Sequence, residues 1–213
     1  MKKIIITLVT IIGCVQLVNA QSYGNDMKQI ISVNYQINIP TASSTDFIKH
    51  ASFEGININW AYFVTEHITV GLDLSYNNYH QKFSQRVYRP NDYTAINAAQ
   101  YRYTQCFPLK AQAKYYFTPY NNVKLYAGLG IGALSAGQHI VVQDIDMWHN
   151  NWGFLLSPEV GVNIPFGVGN NWGANITAGY NWATNDSNFG NIKIDNRQSF
   201  YFNVGLFFAL GNF

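Results

Sequence analysis

From Ile31 onward, apolar and polar side chains alternate along the chain with a period of two, the mark of strands whose two faces meet different surroundings. Ile31, Val33, Tyr35, Ile37 and Ile39 interleave with Ser32, Asn34, Gln36 and Asn38. The pattern recurs over residues 56–64, 68–76, 107–117, 123–131, 154–164, 172–182 and 200–210. These eight segments are each near the roughly 9–11 residues that cross a bilayer as a tilted strand. The connectors between them alternate in length. Residues 65–67, 119–122 and 167–171 are short turns, while 40–51, 80–100, 137–151 and 185–197 are long loops. Short turns at one end and long loops at the other are the arrangement of an outer-membrane-type barrel.

Charge fixes which face is which. Asp73, Lys110, Lys114, Lys124 and Glu159 all fall on the polar phase of their segments. A Lys or Arg on the lipid face costs about 2–4 kcal/mol at the bilayer midplane, and a slip of one residue would turn all five outward. The apolar phase therefore faces lipid and the charged phase faces the lumen. Asp73 and Lys110 are predicted on neighbouring strands, with Glu159 at the same mid-height, in a compensating ionic cluster. The aromatic residues agree. Trp60, Tyr62, Tyr115, Phe117, Phe166 and Trp172 lie near the short turns. Tyr76, Tyr103, Trp152, Tyr180, Trp182 and Phe200 lie toward the long loops. Two such girdles mark the two membrane interfaces.

Composition narrows the class further. Charged residues make up 11% of the 213-residue chain and aromatics 16%, against roughly 25% charged in soluble domains. Beyond residue 20 no apolar run reaches the ~20 residues of a spanning helix. Residues 1–20 read as a secretory signal, with Lys2 and Lys3 followed by an apolar stretch and Val18-Asn19-Ala20 before Gln21. The apolar run continues past Cys14 to Val18, which suits cleavage before Gln21. Lipidation at Cys14 is the competing reading. Loss of Lys2 and Lys3 leaves eleven basic against eleven acidic residues over 21–213, so bulk charge gives no pointer to nucleic acid. Cys106 is then the sole cysteine, which excludes an intrachain disulfide; a small side chain filling space is the simpler account of it.

The glycine run Gly128-x-Gly130-x-Gly132 does not fit a dinucleotide loop, which needs GxGxxG between a strand and a helix. Here the glycines share the lumen face of one strand, leaving room for bulky neighbours such as Phe63, Tyr116 or Tyr126. Asp144-x-Asp146-x-x-His149 has a spacing at which oxygen and imidazole ligands also meet by chance, and a solvated loop tip is the expectation. No metal or other cofactor is implied. His50, His67, His80, His139 and His149 are scattered.

The stretch Tyr115-Tyr116-Phe117-Thr118-Pro119-Tyr120, followed by Leu125-Tyr126-Ala127-Gly128-Leu129-Gly130-Ile131-Gly132, resembles the strand–turn–strand centre of the small outer-membrane β-barrels of Gram-negative bacteria, the OmpA transmembrane-domain and OmpX type. The terminal Phe213 is similar to that family's assembly signal, although it is out of phase with Leu206, Phe208 and Leu210. The resemblance covers Gln21 to Phe213. It implies an all-β fold, an eight-stranded antiparallel up-and-down transmembrane β-barrel with both termini in the periplasm. It implies lipid bilayer, lipopolysaccharide and the outer-membrane assembly machinery as partners, and a monomer. Lys82, Arg86, Arg89 and Arg102 are candidates to contact lipopolysaccharide phosphates through charge-assisted hydrogen bonds. The expected function is non-enzymatic, in surface interaction or envelope integrity. A narrow OmpW-like channel for small or hydrophobic molecules is the first alternative, and a lipid A modifying enzyme the second.

Overall fold

The computed structural model describes residues 29–91, 94–118, 123–142, 145–166, 172–189, 192–194 and 196–210, without the side chains of residues 46, 83–100, 142–147, 187–189 and 192–194. The chain forms strands β1 (Gln29–Thr41), β2 (Ser52–Phe63), β3 (Ile68–Asn91), β4 (Thr94–Tyr116), β5 (Lys124–Val142), β6 (Ile145–Pro165), β7 (Trp172–Ala183), β8 (Ser187–Phe189), β9 (Ile192–Ile194) and β10 (Arg197–Leu210). Eight of them close a barrel in the order β1-β10-β7-β6-β5-β4-β3-β2, and β8 and β9 form a separate hairpin. Every barrel pair is antiparallel, and β1 closes on β10 without a break from Gln29↔Leu210 to Thr41↔Gln198. Closure leaves no free edge within the barrel, the condition for β structure in a membrane.

The alternation read from the sequence sets the two surfaces. Val33, Leu72, Leu129, Val160, Val204 and Leu206 are about half exposed on the outside. Asn34, Asn57, Asp73, Lys110, Gln112, Ser157, Glu159 and Asn203 are buried inside. Aromatic rings bound the apolar belt. At the short-turn end Phe166 and Trp172 meet edge-on at 5.3 Å, and Tyr115 lies 5.3 Å from Phe117. Toward the other end Tyr76 packs on Phe107 at 4.7 Å and Tyr180 on Phe200 at 4.8 Å.

Two of the predicted long loops are instead strands. Residues 80–91 and 94–100 prolong β3 and β4, and residues 137–142 and 145–151 prolong β5 and β6, as tall paired strands, with β4 and β5 paired up to Gln100↔Val142. β2 accompanies β3 only as far as Asn78, and β7 accompanies β6 only as far as Leu155. The four strands β3–β6 therefore continue as a sheet past the rim of the barrel. The sequence hides this because apolar alternation reports lipid contact, and it fades where the sheet leaves hydrocarbon while backbone pairing goes on.

Candidate functional site

The distinctive chemistry lies inside the barrel. Eight strands leave an interior about wide enough for side chains alone, and here the side chains stack in layers. At the short-turn end Ile30, Phe207 and Ala209 form a buried apolar floor, with Phe63 packed on it. Phe63 meets Tyr116 at 5.1 Å, and Tyr116 meets Tyr126 at 5.2 Å. The two hydroxyls are held by Asn163 and Asn175, each donating at 3.2 Å, and Thr177 shares a 2.6 Å hydrogen bond with Tyr126.

The next layer is a closed ring of polar contacts. Lys110 Nζ lies 3.5 Å from Asp73 Oδ1 and donates to the Tyr201 hydroxyl at 3.3 Å. Tyr201 donates to Glu159 Oε2 at 2.8 Å, and Glu159 Oε1 lies 3.2 Å from Lys114 Nζ. Lys114 donates to Asn59 Oδ1 at 3.2 Å, and Asn59 Nδ2 donates back to Asp73 Oδ2 at 3.4 Å. Asn57 and Ser75 also donate to Asp73, at 2.8 and 3.2 Å. The ring takes residues from β2, β3, β4, β6 and β10, so it spans the lumen rather than lining one wall. Both ammonium groups also sit over aromatic faces, Lys110 at 4.6 Å from the Tyr201 ring and Lys114 at 4.7 Å from that of Tyr126. Two cations and two carboxylates balance, which a buried charge set requires.

Glycines make the ring fit. Gly161 is the cross-strand partner of Tyr126, and Gly179 that of Tyr201. A Cβ at either would lie 2.5 or 2.4 Å from the facing tyrosine ring. Gly128 and Gly130 likewise lie against the Lys114 and Lys110 stems. The glycine run is a groove for the lumen side chains.

Above the ring a second apolar cluster sits among buried polar side chains such as Asn38, Asn77, Thr104 and Arg197. The first long connector folds back into the mouth as a short 3-10 turn, Ala42–Asp46, followed by Phe47 and Ile48. These two are buried against Tyr79, Cys106, Leu134, Ala136, Ile140, Leu155 and Ala183. Ser43 donates to the Asn196 carbonyl at 2.6 Å, and the Gln198 N–H donates to Ser44 Oγ at 2.7 Å. The strap is thereby tied to the start of β10.

The structure brings Asp73, Lys110, Lys114 and Glu159 into one network. It places Lys124 apart, buried toward the short-turn end where it pairs in register with Asn163. Lys82 is exposed on β3 with its ammonium 5.3 Å from the Tyr101 ring centre. Arg102 is half-buried, donates to the Phe47 carbonyl at 3.1 Å and lies over the Phe47 ring, so it braces the strap. The side chains of Arg86 and Arg89, most of the 144–149 motif, residues 1–28 and Phe213 lie outside the described residues. Sequence reasoning missed Tyr201 and the Phe47–Ile48 plug. The tyrosine carried a signal, a bulky residue on the inward phase facing a glycine of the neighbouring strand.

A closed antiparallel eight-stranded barrel, apolar and aromatic-rimmed outside and ionised within, is an integral outer-membrane β-barrel. No protein-family model matches the sequence, and comparison with curated proteins finds no match. Among solved structures it is similar to Ail, the attachment invasion locus protein of Yersinia pestis, in complex with the heparin analogue sucrose octasulfate. The two are 14% identical, with 87% of this chain and 99% of that chain covered and a TM-score of 0.49. Neisserial surface protein A is similar at 14% identity, covering 85% of this chain and 95% of that one, with a TM-score of 0.48. OprG from Pseudomonas aeruginosa is similar at 12% identity, covering 88% and 98%, with a TM-score of 0.49.

Proposed function

We propose that the protein is a closed, non-enzymatic barrel of the outer membrane that presents the β3–β4 and β5–β6 hairpins at the cell surface for surface interaction or envelope integrity. The short turns and both termini then face the periplasm. The hairpins stand in the lipopolysaccharide layer, and Lys82, Arg86 and Arg89, all within β3, are the candidates to meet its phosphates. The observation that carries this reading is the Asp73–Lys110–Tyr201–Glu159–Lys114–Asn59 ring lying between the tyrosine floor and the Phe47–Ile48 plug. A conduit needs a continuous polar path. Here the ring is closed on itself by its own ion pairs and hydrogen bonds, with the Phe63–Tyr116–Tyr126 stack below it and the Phe47–Ile48 plug above.

Planar-bilayer recording with the purified protein tests it. The expected trace stays at the leak level. A stable conducting level supports the narrow-channel alternative and removes the closed-barrel reading. Mass spectrometry of lipid A from cells with and without the protein tests the non-enzymatic part; identical lipid A is expected, and a new acylation or deacylation state contradicts it.

A further inference from the structure

Arg197 opens β10 at the mouth of the barrel and is about nine-tenths buried. Asp73 and Glu159 pair with Lys110 and Lys114 in the ring below. Arg197 has no carboxylate within 4 Å among the described residues; the Cys106 thiol near it is only a weak acceptor. Its Nε–H has no protein partner. A buried guanidinium without a counter-charge is costly, and buried cations are as a rule paired.

The same side chain lines a cavity of about 30 Å³ beneath the strap, together with Asn38, Ser44, Phe47, Thr104 and Cys106. The Thr104 hydroxyl and Asn38 Oδ1 are also buried and without partners. Three residues that line one small space thus carry two orphaned donors, one of them cationic, and one orphaned acceptor. It has room for one or two species of water size. A halide ion is close to that size.

We infer that this cavity binds a halide-sized monovalent anion, held by Arg197 Nε–H and the Thr104 hydroxyl beneath the Ala42–Asp46 turn. One accompanying water donates to both the anion and Asn38 Oδ1, which satisfies the remaining acceptor. The ion supplies the negative charge that no described residue places within 4 Å of Arg197. It also fills the space under Ser44 and Phe47, and so helps to seat the strap.

Crystals of the full mature chain grown in detergent with bromide replacing chloride provide the test. An anomalous bromide peak is expected within hydrogen-bond distance of Arg197 Nε in the wild type and absent in Arg197→Gln. Thermal unfolding at fixed ionic strength gives a second readout. The midpoint is expected to rise with bromide relative to gluconate in the wild type, and to be indifferent to the anion in Arg197→Gln and reduced in its response in Thr104→Val. A cavity holding only water in the wild type overturns the assignment. So does a bromide peak that persists in Arg197→Gln, or equal stability in bromide and gluconate. Should Arg197→Gln fail to fold, Arg197→Lys and the wild-type crystal still decide the matter, since the bromide peak must be present at the wild-type site.

Discussion

Asp73 and Lys110 are direct cross-strand partners on β3 and β4, and their side chains meet at 3.5 Å in the middle of the barrel. Both are almost wholly buried. Removing one partner leaves the other charge without compensation, a change that typically costs about 3–5 kcal/mol. Lys110→Met is therefore expected to destabilise the barrel by roughly that amount. The Asp73→Leu, Lys110→Met double variant should recover most of the loss. Denaturant titration of the four proteins in one detergent yields the coupling energy directly. Additive losses would show that the pair is incidental.

The glycine groove makes a second prediction. Gly179→Ala places a methyl group against the Tyr201 ring, and overpacking of this kind costs about 1–3 kcal/mol. The displaced ring loses its hydrogen bond to Glu159. In a Tyr201→Ala background the same glycine substitution is expected to cost little. An equal cost in both backgrounds would remove Tyr201 as the reason for the glycine.

The outward phase is tested by Leu72→Arg and Leu129→Arg. Each places a guanidinium in the apolar belt, at a cost of about 2–4 kcal/mol if near the midplane. Unfolding in lipid vesicles measures this. Unchanged stability in both variants would contradict the assignment of that face to hydrocarbon.

The strap shields Cys106, which is buried and borders the cavity beneath Phe47. Burial of a Phe side chain stabilises by roughly 1.5–3 kcal/mol, and each 1.4 kcal/mol or so is a factor of ten in an equilibrium. Phe47→Ala should therefore raise the rate at which an added, membrane-impermeant thiol reagent modifies Cys106 by about tenfold or more. Bilayer conductance should stay at the leak level, because the ring below is untouched. Unchanged labelling would show that the strap does not close the mouth.

Much of this was legible in the alternation. Eight segments, their phase and the inward charges follow because a one-residue slip would expose Asp73, Lys110, Lys114, Lys124 and Glu159 together. The pairing of Asp73 with Lys110 followed from counting residues from the turns, since those turns pin the register. The tall hairpins did not, because at His80, Lys82, Tyr101 and Gln105 both faces leave the hydrocarbon and no apolar stripe marks the strand. Nor did the plug. Phe47 and Ile48 sit in a polar connector with no period, and only the fold shows that the connector turns inward.

The apolar phase points to lipid and the charged phase to the lumen. Electron paramagnetic resonance of nitroxide labels in vesicles reads that most directly, with Cys106 replaced by Ser and single labels at Leu72, Leu129, Leu206, Gln112 and Asn203. The labels at Leu72, Leu129 and Leu206 are expected to collide readily with dissolved oxygen and little with a polar nickel chelate, as in a hydrocarbon phase. Those at Gln112 and Asn203 are expected to be shielded from both reagents. Oxygen-accessible labels at Gln112 and Asn203, with Leu72 and Leu129 protected, would contradict the account at its root.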